Sequence, residues 1–442
     1  MASLFSLSVT AQRQWTLDDC LQWAMQNNIT LQKARLQQQQ AQEEVKGARG
    51  ALLPSLSAQT NHSLGYTPWV DNGVTTVTNG MVNTKVDKLY YNGSYGVNAQ
   101  WTVWDGGRLN GNLKLSQMEQ QQAELNVQEQ ANTVQERIAQ LYVQCLYLNE
   151  AISVNKNILA TSITNEERGV EMVNVGKMSR ADLAQLTAQR AAEEYNVVEA
   201  QTQLANYKLQ LKQLLELTGD AEFDIVVPTT TDEQALADIP ALQTVYEQAL
   251  LSRPEVENAK LAIESSRLST KIARAGWMPQ VSVTGGVQTS TNSRSSTDWG
   301  QQMKTNFNVA GGLTVSVPIF DGRQTKTAVN RARLQEQQAQ LDLQDAQKQL
   351  YQTIEGYWLD ATTNQQKFRA ATTAVDSEQQ SYELLSEQFR LGLKNIVELM
   401  NGEDKLLQAR QNQLQSKYMT LLNMQMLEFY AGEAAGKALN EK

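Results

Sequence analysis

Two stretches of this chain repeat each other, and that repetition limits the possible folds more than any other feature. With Pro54 placed over Pro279, an offset of 225 residues, Leu17, Ala24, Ala34, Leu36, Lys46, Ala48, Arg49 and Ser57 fall on Leu242, Ala249, Ala259, Leu261, Lys271, Ala273, Arg274 and Ser282. Downstream, Trp104-Asp105-Gly106 matches Phe320-Asp321-Gly322 at an offset of 216, and Gly176 and Leu183 match Gly392 and Leu399 at the same shift. The chain reads as an internal duplication. The nine-residue difference between the two offsets lies between the prolines and the Asp-Gly pairs, which predicts a surface loop there.

Each copy reads as helix, strand pair, very long helix, break and returning helix. In the first, a helix from about Leu17 to Gly50 leads to Pro54, where the apolar period changes from helical to two-residue alternation. Leu56, Ala58, Thr60, His62, Leu64 and Tyr66 share one face; the return strand alternates Tyr91, Gly93, Tyr95, Val97, Ala99, Trp101 and Val103 with polar residues. The second copy repeats the pattern with Val281, Val283, Gly285 and Val287, then Phe307, Val309, Leu313, Val315, Val317 and Ile319. The predicted β-hairpins run over about 55–104 and 280–320.

A soluble sandwich also alternates. Strands near the ~10 residues of a tilted membrane strand, aromatic clusters at their ends (Tyr66, Trp69, Tyr90, Tyr91, Trp101, Trp104, Trp277, Phe320) and glycine and asparagine on the polar face favour a membrane setting. Four strands cannot close a barrel, because the smallest membrane barrels have about eight. Open strand edges are forbidden in hydrocarbon, where backbone groups find no other partner. Strands of this kind in a membrane require an oligomer whose subunits pool them.

After Asp105-Gly106-Gly107-Arg108 the chain runs to about Asn174 without proline, and with no glycine between Gly111 and Gly169. A continuous helix over that stretch measures ~100 Å at 1.5 Å per residue. Val134, Ile138, Leu141, Cys145, Leu148 and Ile152 advance by fours and threes, the seam of a coiled coil. The second copy carries Leu350, Ile354, Tyr357, Ala361, Asn364, Phe368, Ala371 and Val375 in the same rhythm. Broad, mixed seams with glutamine and charge on the remaining faces suit helices with two neighbours and one wet face, as in a hollow helical cylinder. A solid antiparallel coiled coil is the alternative.

Each long helix breaks at 175–183 or 391–399. Gly176 and Gly392 supply the left-handed helix end, and Ser179 or Asn395 can cap the next start. Both breaks read as helical hairpin tips.

The chain has 442 residues, a net charge of -9, two cysteines and one histidine. These numbers exclude a disulfide scaffold and most metal or acid–base constellations. An acidic balance without a basic stripe argues against nucleic acid. With no Gly-rich phosphate loop or nucleophile elbow, the chain does not read as an enzyme; no catalytic, cofactor or metal residue is assigned, and His62 receives no chemistry. No window approaches the ~20 apolar residues of a transmembrane helix. Residues 1–11, ending Val9-Thr10-Ala11, read as the tail of a secretory signal; the alternative is a frayed terminus. Cys20 and Cys145, on predicted helices, read as buried thiols.

The order and duplication of Leu52 to Ser57 (Leu-Leu-Pro-Ser-Leu-Ser) and Trp277 to Ser282 (Trp-Met-Pro-Gln-Val-Ser), the Trp-Asp-Gly-Gly-Arg and Phe-Asp-Gly-Arg exits, and the Gly-x-x-(Ser/Asn) tips resemble the TolC-like outer-membrane efflux proteins, from about Trp15 to Gly432. The resemblance implies an α+β membrane protein: a trimer whose subunits each give four strands to a twelve-stranded outer-membrane barrel, continued by a long periplasmic α-helical barrel. It divides the chain into a signal remnant (1–11), two structural repeats (12–217 and 241–432), an equatorial linker (218–240) and a tail (433–442). It implies an exit channel in the outer membrane of a Gram-negative bacterium. Substrates would arrive from an inner-membrane pump and a periplasmic adaptor in efflux or type I secretion, with no cofactor.

By the family's register, the periplasmic gate falls on Glu398 and Asn401, with Glu403 and Asp404 as substitutes where Asn401 replaces the usual aspartate. A solvated helix-start carboxylate is the plainer reading of Glu398. Gly176, Lys177, Ser179, Arg180, Gly392, Lys394 and Asn395 are the candidates for adaptor contact; for the basic residues, pairing with a neighbouring subunit's acids or plain solvation are the alternatives. A structural coiled-coil spacer of the cell envelope is the competing function. Transported substrate and partner identity are not legible.

Overall fold

One asparagine divides the first predicted helix. The computed structural model describes residues 14–69, 72–77, 80–85, 87–218, 223–228 and 231–432, so the signal remnant and the tail lie outside the described residues. After β1 (Gln14–Trp15), the expected continuous helix appears as α1 (Leu17–Asn27) and α2 (Ile29–Gly50). Asn28 sits between them in an extended conformation, φ -63° and ψ 127°. Its side-chain oxygen accepts from Thr30 N at 2.9 Å and Leu31 N at 3.2 Å, so it caps the second helix instead of continuing the first. The second copy breaks at the matching place by different chemistry: α6 (Leu242–Ser252) ends at Arg253, and α7 (Pro254–Arg274) begins with proline. Proline forces the preceding residue out of the helical region and is well placed at a helix's first position.

The elements between are β2 (Ser55–Tyr66), β3 (Asn72–Val77), β4 (Gly80–Lys85), β5 (Leu89–Trp104), α3 (Arg108–Asn174), α4 (Arg180–Leu214), β6 (Asp224–Ile225) and α5 (Asp232–Ala235). After α7 come a 3₁₀ turn (Ala275–Trp277), β7 (Gln280–Asn292), α8 (Trp299–Thr305), β8 (Asn308–Ser316), α9 (Gln324–Arg390) and α10 (Ile396–Ala431). The helices α3 and α9 are 67 residues each, and α4 and α10 are 35 and 36. The chain divides into two compact units.

The first unit comprises residues 38–122 and 261–341. Its four-stranded antiparallel sheet has the order β2-β5-β7-β8. In register, Ala58 pairs with Val97, Val97 with Val287 and Val287 with Val309, which keeps the apolar alternation on one face across all four strands. Leu56, Val309, Leu313 and Val315 on that face are 58–75% exposed. At one end a bulge places Trp104 opposite Val281 where alternation assigns Val103. The loop expected between the prolines and the Asp-Gly pairs holds two elements the periodicity did not announce: the hairpin β3-β4 in the first copy and the short helix α8 in the second. His62 is held by Thr60 at 2.8 Å and by the Tyr91 hydroxyl, a structural role.

Both strand-to-helix exits turn on the same device. Gly106 and Gly107 (φ 72° and 84°) and Gly322 (φ 61°) occupy the left-handed region. The preceding aspartates accept from the first turns of the helices, Asp105 from Leu109 N at 3.1 Å and Asp321 from Thr325 N at 2.7 Å.

The second unit comprises residues 1–37, 123–260 and 342–442. The predicted seam of α3 is its core: Val134, Ile138, Leu141, Cys145, Leu148 and Ile152 are all 8% exposed or less. Leu350, Ile354, Ala361 and Phe368 of α9 are likewise buried, at 4% or less, whereas Asn364, Ala371 and Val375 are only half-buried. The linker folds against this core. β1 and β6 pair in parallel, and Trp15 meets Trp23 edge-on at 5.6 Å. The Trp23 indole donates to Leu215 O at 3.0 Å, and Lys208 pairs with Asp224 at 2.7 Å. Cys20 and Cys145 are both buried free thiols in the same cluster. Among the described residues, no helix is long and apolar enough to cross a membrane.

Candidate functional site

The two hairpin tips are built alike, and their local chemistry explains why. At the end of α3, Gly176 takes φ 74°; its N–H donates to Val173 O at 3.0 Å and that of Lys177 to Met172 O at 2.8 Å. At the end of α9, Gly392 takes φ 75°, with Gly392 N–H donating to Phe389 O at 2.9 Å and Leu393 N–H to Gln388 O at 2.9 Å. This pairing of helix-end carbonyls requires a left-handed residue, which only glycine adopts without strain. Each returning helix then starts on a side-chain cap: Ser179 Oγ accepts from Asp182 N at 3.1 Å, and Asn395 Oδ1 from Glu398 N at 2.9 Å.

The sequence-predicted tip residues Gly176, Lys177, Ser179, Arg180, Gly392, Lys394 and Asn395 are all exposed. Lys394 is engaged within its own hairpin, its Nζ lying 2.5 Å from Glu398 Oε2 one turn on. The sequence candidates centre on the tip backbone at Gly176 and Gly392 with polar neighbours, and the apolar residues beside them are exposed as well. Val175 is 67% exposed, Leu391 61% and Leu393 71%. Their signal was present: each stands next to or one residue from a helix-ending glycine, off the buried seam.

The four candidate gate residues separate into two groups. Glu398 is half-buried and Asn401 exposed, both in the first turns of α10. Glu403 is different: it is 2% exposed, with its carboxylate accepting from Ser162 Oγ of α3 at 2.9 Å. The Glu403 carboxyl is thus enclosed among the helices of its own subunit, unlike the side chains of Glu398 and Asn401. Asp404 is exposed but belongs to the same layer, because Gln189 Nε2 of α4 donates to both Asp404 Oδ1 and Glu193 Oε1, each at 2.9 Å.

Glu193 is itself 2% exposed and also accepts from Asn196 Nδ2 at 3.3 Å. On α9, the Tyr382 hydroxyl lies 3.5 Å from Asn165 Nδ2. Toward the tips, Leu186, Phe389, Ile396 and Leu399 form a small apolar cluster over this polar layer. Away from them, a groove of about 440 Å³ opens between α3, α4 and α10, lined by Asn155, Glu199, Gln203, Asp404, Gln408 and Gln411 among others.

Burial raises the Glu403 carboxyl from 4.5 to about 7, with the Ser162 hydroxyl opposing the shift and the nearby Glu193 and Asp404 charges adding to it. Glu193 is raised for the same first reason, against the amides of Asn196 and Gln189. Tyr382 is pushed up to about 12 by burial and by Glu403. Among the described residues, no group of three or more histidine, cysteine or acidic side chains is arranged to hold a metal. The arrangement offers polar helix faces and an ionisable seam.

The family model described as outer membrane efflux protein matches residues 20–216 and 245–433. The outer membrane protein TolC of Escherichia coli (strain K12) is 25% identical over 450 residues, covering 95% of this chain and 83% of that one. The outer membrane efflux protein BepC of Brucella suis biovar 1 (strain 1330) is 21% identical over 393 residues, covering 88% and 79%. Among solved structures, the Campylobacter jejuni CmeC outer membrane channel superposes with a TM-score of 0.77 at 18% identity, covering 95% of this chain and 87% of that one.

Proposed function

Because the chain belongs to the outer membrane efflux protein family, we propose that it is the exit duct of a tripartite efflux or type I secretion assembly. It is a TolC-like channel of the Gram-negative outer membrane that reaches into the periplasm. In the reading proposed here it conducts passively, receives substrates from an inner-membrane pump through a periplasmic adaptor, and catalyses no reaction.

The observation that carries this reading is the sheet. Its apolar face is exposed, and its outer strands β2 and β8 each have one edge without a strand partner among the described residues. In lipid those edges must be paired. Three copies of a four-stranded sheet reach twelve strands, above the ~8 that the smallest membrane barrels have. The two repeats (12–217 and 241–432) would each give two strands and one long hairpin, the 218–240 linker joining them at the equator.

The periplasmic gate is assigned to Glu398 and Asn401, with Asp404 deeper in. Three copies of Glu398 around an axis would repel one another and favour cations. Adaptor contact is assigned to the tip backbone at Gly176 and Gly392, with Lys177, Ser179, Arg180, Lys394 and Asn395 beside the exposed Val175, Leu391 and Leu393.

Extraction from membranes, gel mobility with and without heating, and planar-bilayer currents test the reading together. Detergent-dependent, heat-sensitive trimers that conduct ions are expected. A monomer that stays in solution without detergent and carries no current would replace the channel with the envelope spacer.

A further inference from the structure

The carboxyl of Glu403 is enclosed by all four helices of the tip region and, among the described residues, forms no ion pair with a cation. From α3 it faces the hydroxyl of Ser162, 2.9 Å away. From α4 it faces Glu193, also 2% exposed, and from α10 its neighbour Asp404. From α9 it faces the Tyr382 phenol, which Arg168 of α3 also influences. Arg190 of α4 is committed to other carboxylates, pairing with Glu166 at 2.7 Å and with Glu194 at 3.0 Å. Arg168 and Lys405 are exposed. A single amide, that of Gln189, is shared between Glu193 and Asp404.

Three carboxyls therefore meet where the hairpin α3/α4 packs on the hairpin α9/α10, with one hydroxyl and a few amides to hold them. Burying an unpaired charge costs far more than burying a neutral acid. We propose that Glu403, backed by Glu193 and Asp404, is a proton-operated latch between the two hairpins of one subunit: the seam stays packed while Glu403 carries a proton and loosens when it ionises.

The latch deepens the gate assignment above and rests on it only for the consequence in the pore. Its sign follows from burial. In the packed seam Glu403 titrates near 7, and in a hydrated, separated seam near its ordinary 4.5. The packed form is therefore favoured most below the ordinary carboxylate value, loses ground as the pH rises toward 7, and changes little above it. Between pH 5.5 and 8 the population of separated seams rises on the order of thirtyfold.

Hydrogen exchange on the full-length trimer in detergent, corrected for intrinsic exchange rates, reads this directly at the tips. Amides of 158–166 and 399–407 should lose protection about thirtyfold between pH 5.5 and 8, while those around Ile138 to Leu146 should not. Glu403→Gln, neutral and nearly isosteric, should remove most of the pH dependence and hold the protected state up to pH 8, leaving only the smaller response of Glu193. Glu193→Gln should keep the dependence but move its midpoint to lower pH, and it carries the test if the Glu403 variant fails to assemble. A flat wild-type profile, a Glu403→Gln profile like wild type, or an unmoved midpoint in Glu193→Gln overturns the latch. Exchange is readable whether or not the trimer conducts, so a silent bilayer with a pH-responsive tip would count against the duct and not against the latch.

Discussion

Tyr142 of α3 donates its hydroxyl to the carbonyl of Val226 at 2.6 Å, and Val226 in turn donates its N–H to Trp15 O at 2.9 Å. One phenol in the middle of a long helix thus fastens both the linker and the N-terminal strand. The ring is 2% exposed, and burial raises its pKa well above the ordinary phenol range, so it remains a donor. Tyr142→Phe should keep the packing and lose the bond, lowering stability by about 1–2 kcal/mol because the Val226 carbonyl loses a buried donor. Thermal melts of the purified protein measure it, and limited proteolysis should cut first between residues 218 and 240.

Glu398 answers a functional question. Its pairing with Lys394 is half-exposed, so Lys394→Ala should change stability by no more than about 0.5 kcal/mol. Glu398→Ala, by contrast, should lower the cation preference or change the conductance of trimers in planar bilayers. Unchanged currents would remove Glu398 from the gate.

Leu313 of β8 is 67% exposed on the apolar face of the sheet. Leu313→Arg should destabilise the membrane-inserted form by about 1–4 kcal/mol, depending on depth. A reduced fraction of heat-sensitive trimer in membrane extracts is the readout. The same change at Asn308, on the polar alternation of that strand, should be tolerated.

The two thiols give a solution-chemistry check. Burial pushes Cys20 up to about 12 and Cys145 up to about 12, with Asp19 adding at the first and Lys208 opposing at the second. The thiolate is the reactive form. Native protein at pH 8 should resist maleimide labelling for hours, and unfolding should expose both sites to rapid labelling, as mass spectrometry would show.

Much of the fold was legible because its signals are local. The seam from Val134 to Ile152 and the alternation from Tyr91 to Trp101 are periodicities of one element, and each is buried or aligned as its period demands. The caps Ser179 and Asn395 and the glycines Gly176 and Gly392 are equally local, because φ and the first-turn donors involve only neighbours in sequence. Asn28 was overlooked because an asparagine inside a periodic helix is common and its cap announces itself only in the backbone. The hairpin β3-β4 and helix α8 were missed because short polar elements in loops carry little apolar period.

The sequence by itself determined where helices and strands run, which faces are apolar and where the chain turns back, since these depend on residue type and spacing within about one turn or one strand pair. Only the tertiary structure decided that Glu398 stays half-exposed while Glu403, five residues later on the same helix, is sealed among Ser162, Glu193 and Tyr382. The solvation of a carboxyl depends on what distant segments place around it. Residues 162, 193, 382 and 403 meet only after two hairpins have packed together.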